Sequence, residues 1–115
     1  MPPLSYQAPE RVSLFAQETY SSTTPEMIEY EARKAGAVPE VAVAIAEAES
    51  NFNPLAKNPL GSASGIFQLT RGFRDDFCPG IDPFDPVANT RCAVGVMADD
   101  GYDHWGASAR GWSGF

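Results

Sequence analysis

The sequence has few cations and no long apolar run, and both absences exclude common classes of partner. Lys and Arg number 8 against 15 Asp and Glu, which gives a net charge of −7. Because phosphate binding needs clustered cations, we expect no nucleic acid partner, and an anionic membrane surface is disfavoured for the same reason. The longest aliphatic run, residues 41–46, is far shorter than the about 20 residues of a membrane-spanning helix, so we expect no membrane insertion.

Metal-binding side chains are equally scarce. His104 is the only histidine, and Cys78 and Cys92 are the only cysteines. A zinc site needs three or four protein ligands, and two thiols cannot furnish it by themselves. We interpret the acidic residues around His104, within 99–104, as a frayed helix end rather than a cation site. The sequence therefore predicts no metal and no cofactor.

The two cysteines leave two possibilities open. A disulfide between Cys78 and Cys92 would close a loop of about 15 residues and add about 3 kcal/mol of stability in the chain-entropy description. The alternative is two buried free thiols, a common state for cysteine in a protein core. If the disulfide forms, the protein works in an oxidising compartment.

The first residues, Met-Pro-Pro-Leu, carry neither a basic n-region nor a long apolar h-region. We therefore expect no Sec signal peptide. The protein then works inside the cell, leaves by another route, or is displayed as part of a larger particle, such as a virion or a secretion assembly.

The chain length and composition are those of one globular domain. It has 115 residues, of which 43% are apolar and 20% are charged, in the range of soluble folded domains. Residues 1–22 carry scattered prolines and polar residues, and we predict a partly ordered leader there. Residues 23–115 form the folded domain in this interpretation.

Helix start and stop signals indicate a mainly α-helical fold. The segment 23–26, Thr-Thr-Pro-Glu, predicts a helix start with Thr23 as the cap, and Gly36 predicts its end. A second helix begins near Pro39 and runs to about Ser50. It is apolar on nearly all sides, which is typical of a helix at the centre of a core.

Three further segments complete this interpretation. Residues 51–70 are rich in Asn, Pro, Gly and Ser and predict a structured loop with one short helical turn, while residues 71–84 predict irregular structure. Asp85 predicts the cap of a third helix that ends at about residue 100. A final short helix is predicted near residues 107–112, and few strand signals are present.

Glu49 is the strongest candidate for chemistry in the first half of the chain. It is the last of the 8 glutamates and lies where the apolar second helix breaks into the glycine-rich loop. A carboxylate is unfavourable at the negative end of a helix dipole, and partial burial also raises a carboxyl pKa. A carboxyl kept protonated near neutral pH suits general-acid catalysis. The alternative is an exposed glutamate on the last helical turn.

The motif around Glu49 resembles that of a known superfamily. Residues 49–56 read ESNFNPLA, residues 61–69 read GSASGIFQL, and residues 85–89 read DPVAN. The pattern of Glu-Ser, then Asn-Pro-x-Ala, then Gly-apolar-apolar-Gln resembles the signature of the soluble lytic transglycosylase and goose-type lysozyme superfamily. The resemblance covers about residues 38–100.

The resemblance implies a fold and a reaction. The fold would be a small lysozyme-like α-helical domain with a glycine-rich active-site loop, acting on the peptidoglycan glycan strands of the bacterial cell wall. Glu49 would be the sole catalytic acid and would protonate the oxygen between N-acetylmuramic acid and N-acetylglucosamine. It would then act as base while the muramoyl acetamido oxygen attacks C1 and the 6-hydroxyl closes a 1,6-anhydro ring. No second carboxylate is needed, because the sugar supplies its own nucleophile.

The same resemblance assigns residues to substrate binding. Gln68 would hydrogen-bond the glycan, Gly65 would let the backbone approach the sugar, and Ser50 would chiefly position the glutamate. The family's Ala-x-Tyr-Asn-x-Gly is replaced here by residues 108–115, SARGWSGF, and the two candidates for the place of the family's tyrosine are Trp112 and Tyr102. The predicted substrate-binding set is Ser50, Ser62, Gly65, Gln68, Tyr102 and Trp112.

Two other functions fit the same residues. A true lysozyme would hydrolyse the bond and need an aspartate, with carboxyl groups roughly 6.5–9.5 Å apart in an inverting enzyme. The candidates for this second carboxylate are Asp75, Asp76, Asp82 and Asp85, which we otherwise interpret as caps and turns. A non-catalytic glycan-binding or structural subunit with the same fold is the other alternative.

Overall fold

Four α-helices make up most of residues 24–108, the part of the chain that this computed structural model describes. They are α1 Pro25–Ala35, α2 Pro39–Ser50, α3 Arg71–Phe77 and α4 Pro86–Asp100, followed by a 3-10 segment, Asp103–Ser108. Isolated bridges are the only β pairing within these residues, so the predicted mainly α-helical fold is confirmed. The predicted leader and the predicted contact of Trp112 lie outside the described residues.

The start of α1 differs by one residue from the prediction. The hydroxyl of Thr24, rather than that of Thr23, caps the helix and accepts from the Met27 N–H at 3.2 Å. Pro25 takes the first helical position, where its missing N–H costs nothing. The predicted end is confirmed, since Gly36 adopts a left-handed conformation with φ 94° and its N–H bonds the Ala32 carbonyl.

The central helix is α4 rather than α2. α1 packs against both α2 and α4, and residues 92–97 of α4 are all buried, whereas α2 fully buries only Ala42, Ile45 and Ala46. The apolar sequence of α2 therefore overstates its burial, because Val43 and Ala44 are only partly buried and Ala48 is exposed. No helix within residues 24–108 is long and apolar enough to cross a membrane.

The prediction of irregular structure over residues 71–84 is wrong for the segment that forms α3. Thr70 caps this helix by accepting from the Phe73 N–H at 3.2 Å. None of the α3 residues is fully buried, and only two of its seven residues are large and apolar. The available signal was the aromatic pair Phe73 and Phe77 at helical spacing, whose ring centroids lie 4.8 Å apart.

The last described element starts earlier than predicted. The 3-10 segment begins at Asp103, four residues before the predicted helix near 107–112, and residues 109–112 lie outside the described range. Trp105 explains the early start, because its ring is buried and its Nε1 donates to the Phe67 carbonyl at 3.1 Å. This contact anchors the segment beside the glycine-rich loop.

A disulfide joins the end of α3 to α4. Of the two possibilities left open by the sequence, Cys78 and Cys92 form the bridge, and both residues are buried. Replacing both cysteines with alanine should lower the free energy of unfolding by about 3 kcal/mol, because the unfolded chain regains the freedom of the closed loop. Urea denaturation would measure this loss, and reduced wild-type protein should match the variant. An unchanged denaturation midpoint would contradict the prediction.

Candidate active site

Glu49 lies on the last turn of α2, where the helix is forced to end. Asn51 adopts the left-handed conformation and its N–H caps the Glu47 carbonyl at 2.8 Å. The Glu49 side chain is half-buried. Burial raises the pKa of its carboxyl, and a hydrogen bond from the Ser108 hydroxyl offsets part of that rise. The carboxyl therefore holds its proton to higher pH than an exposed glutamate does.

Ser108 reaches Glu49 from the end of the 3-10 segment. Its hydroxyl oxygen lies 2.7 Å from Glu49 Oε2, across 59 residues of sequence. Nothing in the local sequence around Ser108 distinguishes it from the other serines of the chain, and no role was predicted for it. Only the fold of the 3-10 segment, held by Trp105, brings the hydroxyl to the carboxyl.

Ser50 fastens the end of α2 to the glycine-rich loop. Its hydroxyl lies 2.7 Å from the Ile66 carbonyl and 3.3 Å from the Ala46 carbonyl of its own helix. Both are contacts in which the serine donates to backbone. This arrangement fits the expectation that Ser50 positions Glu49, because it fixes the helix turn that carries the carboxyl against the loop.

The loop itself is held by Asn89, a residue for which the sequence indicated no role. Asn89 is fully buried in α4. Its amide nitrogen donates to the carbonyls of Ser64 and Pro83, and its Oδ1 accepts from the Phe67 N–H at 3.0 Å. A buried amide satisfied in this way fixes the backbone around it. Residues 64–67 are therefore tied to the central helix.

Gly65 occupies the tightest point of this loop. Its φ is 82°, and a Cβ on it would lie 2.1 Å from the Pro83 carbonyl oxygen and 2.3 Å from the Asn89 amide nitrogen. The close approach that the missing side chain permits here is to the protein's own atoms, the Pro83 backbone and the Asn89 side chain. The predicted approach of the Gly65 backbone to a sugar stays a prediction.

Gln68 presents an acceptor and keeps its donors occupied. Its φ is 52°, and its Nε2 donates to the Ala56 carbonyl at 3.1 Å and to the Gly65 carbonyl at 2.9 Å. Among the described residues, none donates a hydrogen bond to its Oε1. The side chain is therefore fixed, with one carbonyl oxygen for a hydroxyl or amide N–H of a ligand.

Gln68 also lines a pocket of about 250 Å³ between α3 and the 3-10 segment. Aromatic rings form its apolar side, where Phe73 contacts Trp105 and His104 edge-on at centroid distances of 5.6 and 5.2 Å. An apolar wall with a few fixed polar groups is typical of small-ligand sites. The lining residues are Gln68, Leu69, Thr70, Phe73, Asp76, Phe77, His104 and Trp105.

Backbone strain is concentrated at the same site. Within residues 24–108, the non-glycine residues with positive φ are Asn51, Phe52 and Gln68, at 54°, 63° and 52°. The first two directly follow the turn that carries Glu49. Such conformations cost of order 1–3 kcal/mol each and cluster at functional sites. The strain therefore marks the two segments that also carry the candidate acid and the candidate ligand acceptor.

Two predicted substrate-binding residues hold other parts of the fold. The Ser62 hydroxyl accepts from the Arg71 N–H at 2.9 Å, at the start of α3. The Tyr102 hydroxyl accepts from the Val38 N–H at 3.0 Å, at the end of α2 opposite to Glu49. The structure brings Glu49 together with Ser108 but not with Tyr102, and sugar contacts by Ser62 and Tyr102 stay predictions.

The candidate aspartates divide into two groups. Asp85 caps α4 by accepting from the N–H groups of Val87 and Ala88, and Asp82 accepts from the Phe84 N–H in a turn. Asp75 and Asp76 are exposed on α3. Asp82 and Asp85 thus have the structural roles of cap and turn that we expected of them.

The described residues thus form a small helical domain with one half-buried acid at a helix end, a strained glycine-rich loop, and an aromatic pocket that Gln68 of this loop lines. The chain matches the family described as Transglycosylase SLT domain over residues 26–109. Because that match covers well over half of the chain, the protein belongs to this family, and membership of the family implies a peptidoglycan substrate. No curated protein and no solved structure matches the chain.

Proposed function

We propose that the protein is a peptidoglycan lytic transglycosylase in which Glu49 is the single general acid and base. The observation that carries the proposal is the half-buried Glu49 carboxyl with its raised pKa, at the junction of α2 and the loop that presents Gln68. Cleavage of a glycosidic bond requires a general acid, and a raised pKa keeps the acid protonated to higher pH than usual.

The reaction proceeds in two steps with one carboxyl. Glu49 donates its proton to the oxygen between N-acetylmuramic acid and N-acetylglucosamine, the C1–O bond breaks, and the muramoyl acetamido oxygen bonds to C1. The Glu49 carboxylate then takes the proton of the muramoyl 6-hydroxyl, whose oxygen displaces the acetamido oxygen at C1. The product is a 1,6-anhydro sugar, and the acid regains its proton. Intramolecular attack of this kind gains from high effective molarity.

Gln68 and the aromatic pocket supply the contacts to the glycan. The Gln68 Oε1 accepts from a sugar hydroxyl or an acetamido N–H, since its amide nitrogen is occupied by backbone carbonyls. The rings of Phe73 and His104 offer an apolar surface to the face of a pyranose ring. Short-range contacts of this kind must provide the affinity, because the chain's net charge of −7 does not attract an anionic wall.

The place of action is the cell wall, reached outside the reducing cytoplasm. The Cys78–Cys92 disulfide supports this proposal, because such bridges persist in oxidising compartments. A periplasmic, extracytoplasmic or virion-associated setting satisfies this condition.

The pH dependence of cleavage should follow the Glu49 proton. Because only the protonated acid can start the reaction, kcat/KM should fall as the pH rises through the raised pKa of Glu49, above the ordinary range of glutamate.

The stability of the protein should depend on the same proton. The folded state binds the Glu49 proton more tightly than the unfolded state does, so this contribution to the free energy of unfolding is present below the ordinary glutamate pKa and is lost as the pH rises through the raised value. Rate profiles and urea unfolding against pH measure both. An alkaline limb at the ordinary glutamate pKa would contradict the assignment.

Mass spectrometry of the muropeptides released from purified sacculi tests the reaction itself. The proposal expects products lighter by one water than reducing-end sugars. Reducing-end products would instead indicate hydrolysis, with Asp75 or Asp76 as the next candidates for a second carboxyl. Absence of products from the folded protein, together with retained binding to sacculi, would indicate a glycan-binding subunit.

A further inference from the structure

The contact between Ser108 and Glu49 points to a role for the 3-10 segment in proton transfer. We propose that Ser108 is a positioning residue, which fixes the Glu49 carboxyl so that Oε1 is the oxygen that carries and delivers the proton. This inference rests on the proposed function, because it concerns how the same acid acts.

The Ser108 hydroxyl lies closer to the Glu49 carboxyl than to the Trp105 carbonyl. Its oxygen lies 2.7 Å from Glu49 Oε2 and 3.1 Å from the Trp105 carbonyl oxygen. A hydroxyl has one proton to donate. When that proton points to Glu49, Oε2 is the accepting oxygen of the carboxyl group. The acid's own proton is then on Oε1, which accepts no hydrogen bond from any other described residue.

A chain of hydrogen bonds keeps the serine in place. Asn89, buried in α4, accepts from the Phe67 N–H, and the Phe67 carbonyl accepts from Trp105 Nε1 at 3.1 Å. The Trp105 carbonyl in turn lies within hydrogen-bond distance of Ser108. Each link but the last is buried, so the position of the hydroxyl is set by the core rather than by the exposed surface.

The same contact serves both steps of the reaction. Once Glu49 has given up its proton, the hydrogen bond from Ser108 is to a carboxylate and becomes stronger. The serine therefore stabilises the ionised acid that the first step produces. Burial, which raises the pKa of Glu49, and this hydrogen bond, which lowers it, are the causes of the shifted Glu49 pKa.

Removing the hydroxyl should change both the rate and the pH profile. Ser108→Ala should lower kcat on sacculi about tenfold, the equivalent of one hydrogen bond to a charged group, and leave KM nearly unchanged. It should also move the alkaline limb to still higher pH, because the Glu49 pKa loses the effect that lowers it. Ser108→Thr keeps the hydroxyl and should restore both.

A titration that needs no turnover separates this inference from the proposed function. Carbon-13 NMR of the labelled Glu49 carboxyl gives its pKa in the folded wild type, Ser108→Ala, Ser108→Thr and Thr90→Val. Thr90→Val is the matched control, because its buried hydroxyl has no hydrogen-bond partner among the described residues and its removal should leave the Glu49 pKa unchanged.

Three outcomes decide the proposal. A Glu49 pKa raised in Ser108→Ala and restored in Ser108→Thr, with the matching losses in kcat, supports it. An unchanged pKa in folded Ser108→Ala with an active wild type overturns the role of Ser108 and leaves the proposed function standing. A wild type that releases no product overturns the proposed function, and with it the catalytic role of Ser108, even where the pKa moves.

Discussion

Glu49→Gln should reduce the release of muropeptides by about a thousandfold or more, since positioned acid–base catalysis contributes roughly 10²–10⁴-fold and here one residue serves in both steps. Glutamine keeps the size of the side chain and can accept from the Ser108 hydroxyl, but its amide has no proton of suitable acidity. The fold and the binding of sacculi should persist. Product release is measured by chromatography of digested sacculi, and binding by co-sedimentation.

Glu47→Gln provides the matched control for this substitution. Glu47 lies two residues earlier on α2 and is exposed, whereas Glu49 is half-buried, so the same chemical change is made on the same helix at a solvent-exposed carboxyl. We expect wild-type product release from this variant. Equal losses in both variants, or substantial activity in Glu49→Gln, would show that the acid is a different residue.

Gly65→Ala should cost about 4 kcal/mol or more of folding free energy, in the exceptional range for a single substitution. The new methyl group would lie 2.1 Å from the Pro83 carbonyl oxygen and 2.3 Å from the amide nitrogen of Asn89. Neither neighbour can withdraw easily, because one is backbone and the other is a buried side chain with three hydrogen bonds. Thermal and urea unfolding would measure the loss.

Gly80→Ala separates the two components of that cost. Gly80 has nearly the same φ, 84° against 82°, but a Cβ on it would meet no atom within 4 Å. The left-handed conformation alone should cost about 1–2 kcal/mol, and the excess in Gly65→Ala measures the steric contact. If the two variants lose similar stability, the packing of the loop against α4 is looser than the structure indicates.

Part of the fold and of the site could be read from local sequence. α2, its end near Ser50 and the cap of α4 at Asp85 are each encoded by neighbouring residues, through apolar patterning, breaker residues and a capping side chain. The candidate acid stood out in the same way, because Glu49 follows an apolar helix and precedes a glycine-rich loop. The family pattern then added Gln68, which the structure fixes at the edge of the pocket.

The rest depends on contacts between distant segments. α3 has no fully buried residue, and the single pair Phe73 and Phe77 is all the apolar periodicity that its sequence carries. Asn89 stood within a recognised motif, but its three hydrogen bonds reach back to residues 64–67 and to Pro83. Ser108 acquires its contact only after Trp105 has docked on the loop. Sequence periodicity reports neighbours along one element, and these interactions join different elements.

The hydrogen-bond chain from Asn89 to Glu49 makes the pKa of the Glu49 carboxyl depend on contacts between distant segments of the fold. The motif residues 49–68 contain both the candidate acid and its glycan-contacting glutamine, yet their alignment depends on α4 and on Ser108, 59 residues away. A peptide of residues 49–68, or the same motif grafted onto another loop, would contain Glu49 and Gln68 but would lack the hydrogen bond from Ser108 and the burial that set the Glu49 pKa. On heating, the loss of activity should accordingly coincide with the loss of the helical circular-dichroism signal.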